Sequence, residues 1–435
     1  MILAYTSASF LDKTAGNGKE VNVSGISISG PKVGNYNLLS TTAVTTANII
    51  KKPITATLNI NNKIYNGNTN AVFSSGEHIV LNGLISGDEV TVTNEGSKAF
   101  INKHVGTGKT VNATSIILGG GDAGNYEFNG TGTGTANITQ RSITVTAVTD
   151  TKTYNGTTDS AGIPTTGALQ GSDTADFIQT YDNKNVGASK TLTPSGIVND
   201  GNEGNNYSYT FGEDTTGEVT PASLTITADD QSKTYGNPDP ELTYQITSGS
   251  LFNGDTLTGS LERVVGENVG EYTITSTLEN SNYDITFISG TLTVTPASLT
   301  ITADDQSKTY GTANPVLTAS YDGFVEGEDE NVLDTPASLS TLVNETSSVD
   351  AYEITVSGAT DANYAISFVS GTLTVTPASL TITADAKNKT YGNPDPELTY
   401  QITSGSLVNG DALSGSLSRV AGENVGTYAI TQGDL

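Results

Sequence analysis

The stretch SLTITADDQSKTYGNPDPELTY, residues 223–244, reads as strand, turn and strand. Leu224, Ile226 and Ala228 alternate with Thr225 and Thr227, so one face is apolar and the other polar, the two-residue period of a half-buried strand. Tyr235-Gly236 closes the segment, and Leu242, Tyr244 and Ile246 resume the alternation. Downstream, Phe252-Asn253-Gly254-Asp255 marks a turn, Tyr272 and Ile274 share a face, and Tyr283, Ile285 and Phe287 share another. Ser289-Gly290 reads as a two-residue hairpin returning through Leu292 and Val294. No segment carries apolar residues at helical spacing; at most a short helical turn covers 250–256. About six short strands in a unit of this size predict a small sandwich or sheet-rich domain.

The same words recur along the chain. ASLTITADDQSKTYG occupies 222–236 and, unchanged, 297–311, and ASLTITADAKNKTYG occupies 378–392. In the first half, ITATLNINNKIYNGNT at 54–69 resembles ITVTAVTDTKTYNGTT at 143–158, and GNGKEVNVSGISISGPKVGNY at 16–36 resembles GTGKTVNATSIILGGGDAGNY at 106–126. Internal repetition of this kind signals a tandem array. Both repeat types open on an alternating strand and Lys-x-Tyr-(Asn)-Gly. Both close near an Asn-Tyr pair: Asn35-Tyr36, Asn125-Tyr126, Asn206-Tyr207, Asn282-Tyr283 and Asn363-Tyr364. The sequence divides into a partial unit at 1–49, full units at 50–138, 139–221, 222–296 and 297–377, and a partial unit at 378–435. It therefore reads as a segment of a longer array, with unpaired sheet edges in its partial units. Thr-Pro-Ala-Ser at 220–223, 295–298 and 376–379 joins units through a proline that ends a strand cleanly. Junctions this short leave little room to pivot, so the expectation is an all-β elongated rod of small domains, on the order of 200 Å long.

Composition narrows the function. The formal net charge is −27, and the halves differ: 13 basic against 18 acidic residues in 1–221, and 6 against 28 in 222–435. An acidic surface repels nucleic acid and anionic membranes, so neither is an expected partner. There is no cysteine, which removes disulfides, thiolate metal sites and thiol catalysis. No apolar run is long enough to span a bilayer as a helix, and MILAYTSASF lacks the plan of a signal peptide, so an export signal would lie outside this segment.

The units with KIYNG and KTYNG resemble YDG-type repeats, with Tyr-Asn-Gly where the family name has Tyr-Asp-Gly. Those from 222 onward, with SLTITADDQSKTYGNPDPELTY and NYDITFISGTLTVTP, resemble MBG-type repeats. Such repeats are similar to those of filamentous-haemagglutinin-like exoproteins and other large bacterial adhesins. The resemblance implies an extracellular or outer-membrane location, a role in attachment as stalk or spacer, host or biofilm polysaccharide or protein as partner, neighbouring repeats as structural partners, and no catalytic residues.

The residues themselves point the same way. His78 and His104 lie in one unit without a nucleophile motif nearby, and Gly-rich GGGDAG at 119–124 lacks the helix that a phosphate cradle needs. No catalytic, cofactor-binding or metal residue is assigned, and no cofactor is expected. Structural calcium stays open as an alternative at Asp229-Asp230, Asp304-Asp305, Glu326, Glu328, Asp329 and Glu330, and 199–206, although none matches a calcium-loop pattern. Lys63, Lys152, Lys233, Lys308 and Lys389 each precede a tyrosine by two residues; the expectation is a lysine stem covering the ring, the alternative a Lys-Asn isopeptide crosslink. The recurrent tyrosines are expected in cores or corners rather than on a sugar-stacking platform. Two further readings remain: glycan- or matrix-binding modules, and accessory repeats of a secreted enzyme whose catalytic domain lies elsewhere.

Overall fold

In the repeat 297–377 the alternation of Ala-Ser-Leu-Thr-Ile-Thr-Ala becomes burial: Ala297, Leu299, Ile301 and Ala303 are buried, while Ser298, Thr300 and Thr302 reach the surface. The structure, a computed structural model, describes residues 1–435. This repeat has seven strands: β1 (Ala297–Ala303), β2 (Gln306–Thr309), β3 (Ala319–Asp322), β4 (Ser338–Thr341), β5 (Ala351–Ser357), β6 (Tyr364–Val369) and β7 (Gly371–Thr376). They form two sheets, ordered β3-β1-β6 and β2-β7-β5-β4. Leu299 and Ile301 from one sheet meet Ile354, Val356, Leu373 and Val375 from the other in a common core. Full burial of each such side chain is worth roughly 1.5–3 kcal/mol.

The opening strand changes sheet at Asp304-Asp305. Asp304 accepts hydrogen bonds from the Thr318 and Ser320 hydroxyls at 2.6 and 2.5 Å, and Asp305 accepts one from the Thr372 amide at 2.7 Å. The two acids thus pin the crossover to both sheets. The chain crosses back between β6 and β7, where a Cβ on Gly371 would sit 2.3 Å from the Ala303 carbonyl oxygen. The matching Ser289-Gly290 is accordingly no hairpin. Its flanking strands, Tyr283–Ile288 and Thr291–Thr295, belong to different sheets. Local turn residues cannot distinguish a return within one sheet from a step between two. The segment 250–256 holds a β-turn instead of a helical turn, with the Asp255 amide donating to the Phe252 carbonyl at 2.9 Å.

The plan recurs across both sequence types. The strand order of 222–296 repeats that of 297–377. So does that of 139–221, where Thr165–Thr166, Arg141–Thr146 and Tyr207–Gly212 form one sheet, and Thr151–Thr153, Asp214–Thr220, Gly187–Asn199 and Thr174–Tyr181 the other. In 50–138 the two sheets merge into one curled six-stranded sheet, because Gly132–Thr139 pairs with both Thr55–Leu58 and Lys63–Ile64. Residues 1–49 form a three-stranded sheet and a two-stranded one, and 378–435 form two two-stranded sheets. There is no α-helix, only single-turn 3-10 segments at Val33–Asn35, Ala123–Asn125 and Glu330–Val332. No helix is long and apolar enough to cross a membrane. The chain divides into two units, Met1–Ala222 and Ser223–Leu435.

The Gly371 corner is testable. Gly371→Ala forces a methyl group onto the Ala303 carbonyl and is expected to cost about 1–3 kcal/mol. It should lower the calorimetric transition of the Ser223–Leu435 unit and leave that of Met1–Ala222 in place.

Candidate functional site

The repeated tyrosines converge on a repeated acid. In each full repeat a four-residue turn ends in a carboxylate: Ile85–Asp88, Gln170–Asp173, Phe252–Asp255 and Val325–Glu328, with Val408–Asp411 in the last repeat. Each turn is closed by the amide of its acid donating to the carbonyl of its first residue, at 2.9–3.1 Å. Glycines with positive φ, such as Gly254 (76°) and Gly327 (89°), make the tight reversal possible.

Within a repeat, the tyrosine of the Asn-Tyr pair binds this turn twice. Its hydroxyl accepts from the first amide of the turn: Ile85 to Tyr126 and Gln170 to Tyr207 at 2.9 Å, Phe252 to Tyr283 at 2.7 Å, Val325 to Tyr364 at 2.9 Å. It donates to the acid: Tyr126 to Asp88 at 2.6 Å, Tyr207 to Asp173 at 2.8 Å, Tyr283 to Asp255 at 3.0 Å, and Tyr364 to Glu328.

The preceding repeat supplies a second tyrosine to the same carboxylate. Tyr65 donates to Asp173 at 2.8 Å, Tyr235 to Glu328 at 2.7 Å, and Tyr310 to Asp411 at 2.9 Å. The paired rings meet edge to face, at 5.4 Å and 72° for Tyr65–Tyr207 and 5.6 Å and 79° for Tyr235–Tyr364. Such pairs add about 0.5–1.5 kcal/mol beyond area burial. The glycine after the donor tyrosine admits the turn. A Cβ on Gly236 would lie 2.5 Å from Val325, one on Gly311 2.5 Å from Val408, and one on Gly67 2.9 Å from the Gly171 amide. A third contact uses the asparagine: Ala15 donates its amide to Asn125 Oδ1, Val105 to Asn206 Oδ1 and Val269 to Asn363 Oδ1, each at 2.9 Å. Tyr391 carries the same Lys-Thr-Tyr-Gly context with no turn against it and is 70 % exposed, whereas Tyr65 is fully buried.

Profiles of two families cover these repeats. The YDG domain matches 1–44, 50–134 and 139–217, and the MBG domain of YGX type matches 224–293, 299–374 and 380–435. The N-terminal part is built of YDG domains and the C-terminal part of MBG domains. No curated protein matches the chain. Among solved structures, one of the N-terminal four Ig domains of Dscam1 isoform 4.44 shares 12% identity, covering 74% of this chain and 98% of that one at a TM-score of 0.15. Another, described as the structural basis for Dscam isoform specificity, shares 11% identity, covering 75% and 99% at a TM-score of 0.15.

YDG and MBG repeats charge the joint differently. In the YDG repeats a lysine from the preceding repeat joins the carboxylate: Lys103 donates to Asp173 at 3.0 Å, and Lys13 to both Asp88 and Asp122 at 2.8 Å. In the MBG repeats the Tyr235–Glu328 joint has no such cation; Glu267 and Asn268 precede Val269 where Lys103 and His104 precede Val105. Burial pushes the Asp173 carboxyl up, but bonds from Lys103, Tyr207 and Tyr65 outweigh it and hold the group below the usual carboxylate range. The hydroxyl of Tyr235 is raised to about 12, chiefly by its bond to Glu328 and then by burial, and that of Tyr364 to about 12 by burial and the same bond.

The lysine of the Lys-x-Tyr motif does not cover the ring of its tyrosine. In the YDG repeats it fastens a loop: Lys63 donates to Asn66 Oδ1, Asn68 O and Asn70 O, and Lys152 to Asn155 Oδ1, Thr157 O and Asp159 O, at 2.7–3.1 Å. In MBG repeats it is Lys308 that holds carbonyls, of Thr312 and Asn344, while Lys233 pairs with Asp239 and Glu267. Arg263 bridges the same two acids.

The remaining candidates serve local structure. Asp229 accepts from Thr243, and Asp230 from the Thr291 amide, as their counterparts do in the next repeat. Asp329 caps a 3-10 turn through the Asn331 amide, and buried Asp200 accepts the amides of Asn202, Gly204 and Asn206 at 2.7–3.0 Å. His78 pairs with Glu95 at 2.5 Å and stacks on Phe73, while His104 lies 3.3 Å from Asn206 Nδ2. No three of these side chains gather as a metal site would require. Of the candidates, only Glu328 reaches a joint carboxylate position. A cleft of about 280 Å³ in the last repeat is lined by Lys389, Tyr391, Arg419 and Tyr428.

Asp173→Asn should remove the charge that Tyr65, Tyr207 and Lys103 share. The expected cost is about 2–3 kcal/mol, read by calorimetry as a drop of roughly 5–10 °C in the Met1–Ala222 transition. The Tyr235–Glu328–Tyr364 joint needs neutral hydroxyls. Its contribution is full below the ordinary tyrosine value near 10 and is lost as pH rises through about 12. The Asp173 contribution has the opposite sign: it is present above the ordinary aspartate value and lost as pH falls through the depressed one. Tyrosinate absorbance followed with circular dichroism should show a late-titrating class whose ionisation coincides with loss of structure in the Ser223–Leu435 unit.

Proposed function

We propose that this chain is a non-catalytic repeat segment of a large bacterial surface or secreted adhesin, a semi-rigid spacer that projects or contributes to an attachment surface. The observation that carries this reading is the recurrence of the tyrosine–carboxylate joint. In the full repeats the recurring residues, Lys-x-Tyr-Gly, the acidic turn and Asn-Tyr, build the repeat and, at Tyr65–Asp173, Tyr235–Glu328 and Tyr310–Asp411, link it to a neighbour. Recurring residues engaged in such joints are what a stacking device needs and an active site does not. YDG and MBG domains support an adhesin-like repeat region. The acidic MBG face suits a protein held at high local density, where like charge keeps neighbours apart. The location we assign is the cell exterior, and the partners are host or biofilm polysaccharides or proteins.

Glycan-array and matrix-protein binding, compared for the YDG and MBG units, separates a pure spacer from a ligand-binding array. Surface labelling of intact cells tests the location.

A further inference from the structure

In each full repeat the second strand and the last lie side by side and run the same way. In 297–377, β2 pairs with β7 in parallel, Gln306 with Leu373 through Thr309 with Thr376. The equivalent pairs are Gln231–Thr234 with Thr291–Thr295, Thr151–Thr153 with Asp214–Thr220, and Lys63–Ile64 with Gly132–Thr139. The last strand is then followed directly by the next repeat: Thr295 ends one, and Ala297 begins the other across a single proline. Tension along the chain therefore enters a repeat at the start of β1 and leaves at the end of β7.

We infer that the YDG and MBG repeats are shear clamps, built so that tension along the array is resisted by the parallel pairing of the second and last strands. Pulling the two ends apart slides β2 lengthwise against β7, so the backbone hydrogen bonds of the pair are strained together. An antiparallel hairpin pulled from its open end loses them one at a time. The closing strand is also held from its other side, since β5 pairs with β7.

Two bonds at the exit recur in four repeats. The tyrosine of the Lys-x-Tyr motif donates its amide to the last threonine carbonyl: Tyr65 to Thr139, Tyr154 to Thr220, Tyr235 to Thr295 and Tyr310 to Thr376, at 2.8–2.9 Å. The same threonine donates its hydroxyl back to the lysine carbonyl of the second strand: Thr139 to Lys63, Thr220 to Lys152, Thr295 to Lys233 and Thr376 to Lys308, at 3.2–3.4 Å. This threonine lies where the load leaves the repeat and locks the last strand to the second on both its carbonyl and its hydroxyl. The property belongs to the repeats whatever they project, so it stands apart from the ligand.

Single-molecule force spectroscopy on the full chain tests it. With handles at the termini, each full repeat of 75–89 residues should unfold in its own event, releasing on the order of 25 nm. The comparison geometry uses the same chain with handles on Glu262→Cys and Thr275→Cys, exposed partners on an antiparallel pair; the absence of native cysteine makes the attachment specific. Terminal loading should require severalfold more force at the same pulling speed. A variant carrying Thr139→Val, Thr220→Val, Thr295→Val and Thr376→Val keeps strand-forming side chains but loses the hydroxyl locks. Its unfolding rate under constant tension should rise roughly five- to tenfold per repeat, the rate equivalent of one hydrogen bond, with thermal melting confirming that the repeats remain folded. Equal forces in the two geometries would overturn the inference, as would an unchanged rate in the folded variant.

Discussion

A carboxylate that accepts hydrogen bonds from two tyrosines of different repeats is the constraint on which the array depends. Asp173 and Glu328 occupy this position in a YDG and an MBG repeat, and their tyrosine pairs adopt nearly the same edge-to-face geometry. Bonds to an ionised group are worth about 1.5–3 kcal/mol each, more than a neutral bond. The tyrosine hydroxyl is suited to the place because it donates to the acid while accepting the amide of the same turn. Phenylalanine would leave both partners unsatisfied. The glycine beside the donor tyrosine exists for the same reason, since a side chain at Gly236 or Gly311 would strike the incoming turn.

This joint explains why two repeat types with different charge can stand in one chain. Both share strand order, turn, tyrosines and the asparagine that receives an amide from the repeat before it. They differ in what surrounds the carboxylate. YDG repeats add a lysine, so the acid is neutralised by an ion pair, while MBG joints rest on neutral tyrosine hydroxyls and leave their remaining acids on the surface. The contrast in net charge between the halves is thus written partly into the joints.

Much of the fold was legible in the sequence, because alternation such as Leu299-Thr300-Ile301 reports burial directly. The all-β class and the YDG and MBG resemblances follow from such stretches. The sheet assignment did not follow. Ser289-Gly290 carries the residues of a hairpin, yet Gly290 lies against the Ala228 carbonyl because the chain is changing sheets there. The recurring tyrosines were visible but read as core or corner residues. That is half right for Tyr207, which is buried in its own repeat, and incomplete for Tyr65, whose partner acid is 108 residues away. The turn at Phe252–Asp255 is also visible in the sequence, but its kinship with the turns ending at Asp88, Asp173, Glu328 and Asp411 is not. The varying distance from each acid to the following Asn-Tyr pair hides the correspondence, and a search for a glycine-containing turn ending in Asp or Glu before each such pair would have found it.

The claim that the shared carboxylate couples neighbouring repeats is tested most directly by a double-mutant cycle of Tyr235→Phe and Glu328→Gln in the full chain, read from the denaturant-induced transition of the Ser223–Leu435 unit. A direct bond between the two side chains predicts a coupling energy of about 1 kcal/mol or more, with the double variant less destabilised than the sum of the singles. Additive effects, with coupling within about 0.3 kcal/mol of zero, would contradict the account.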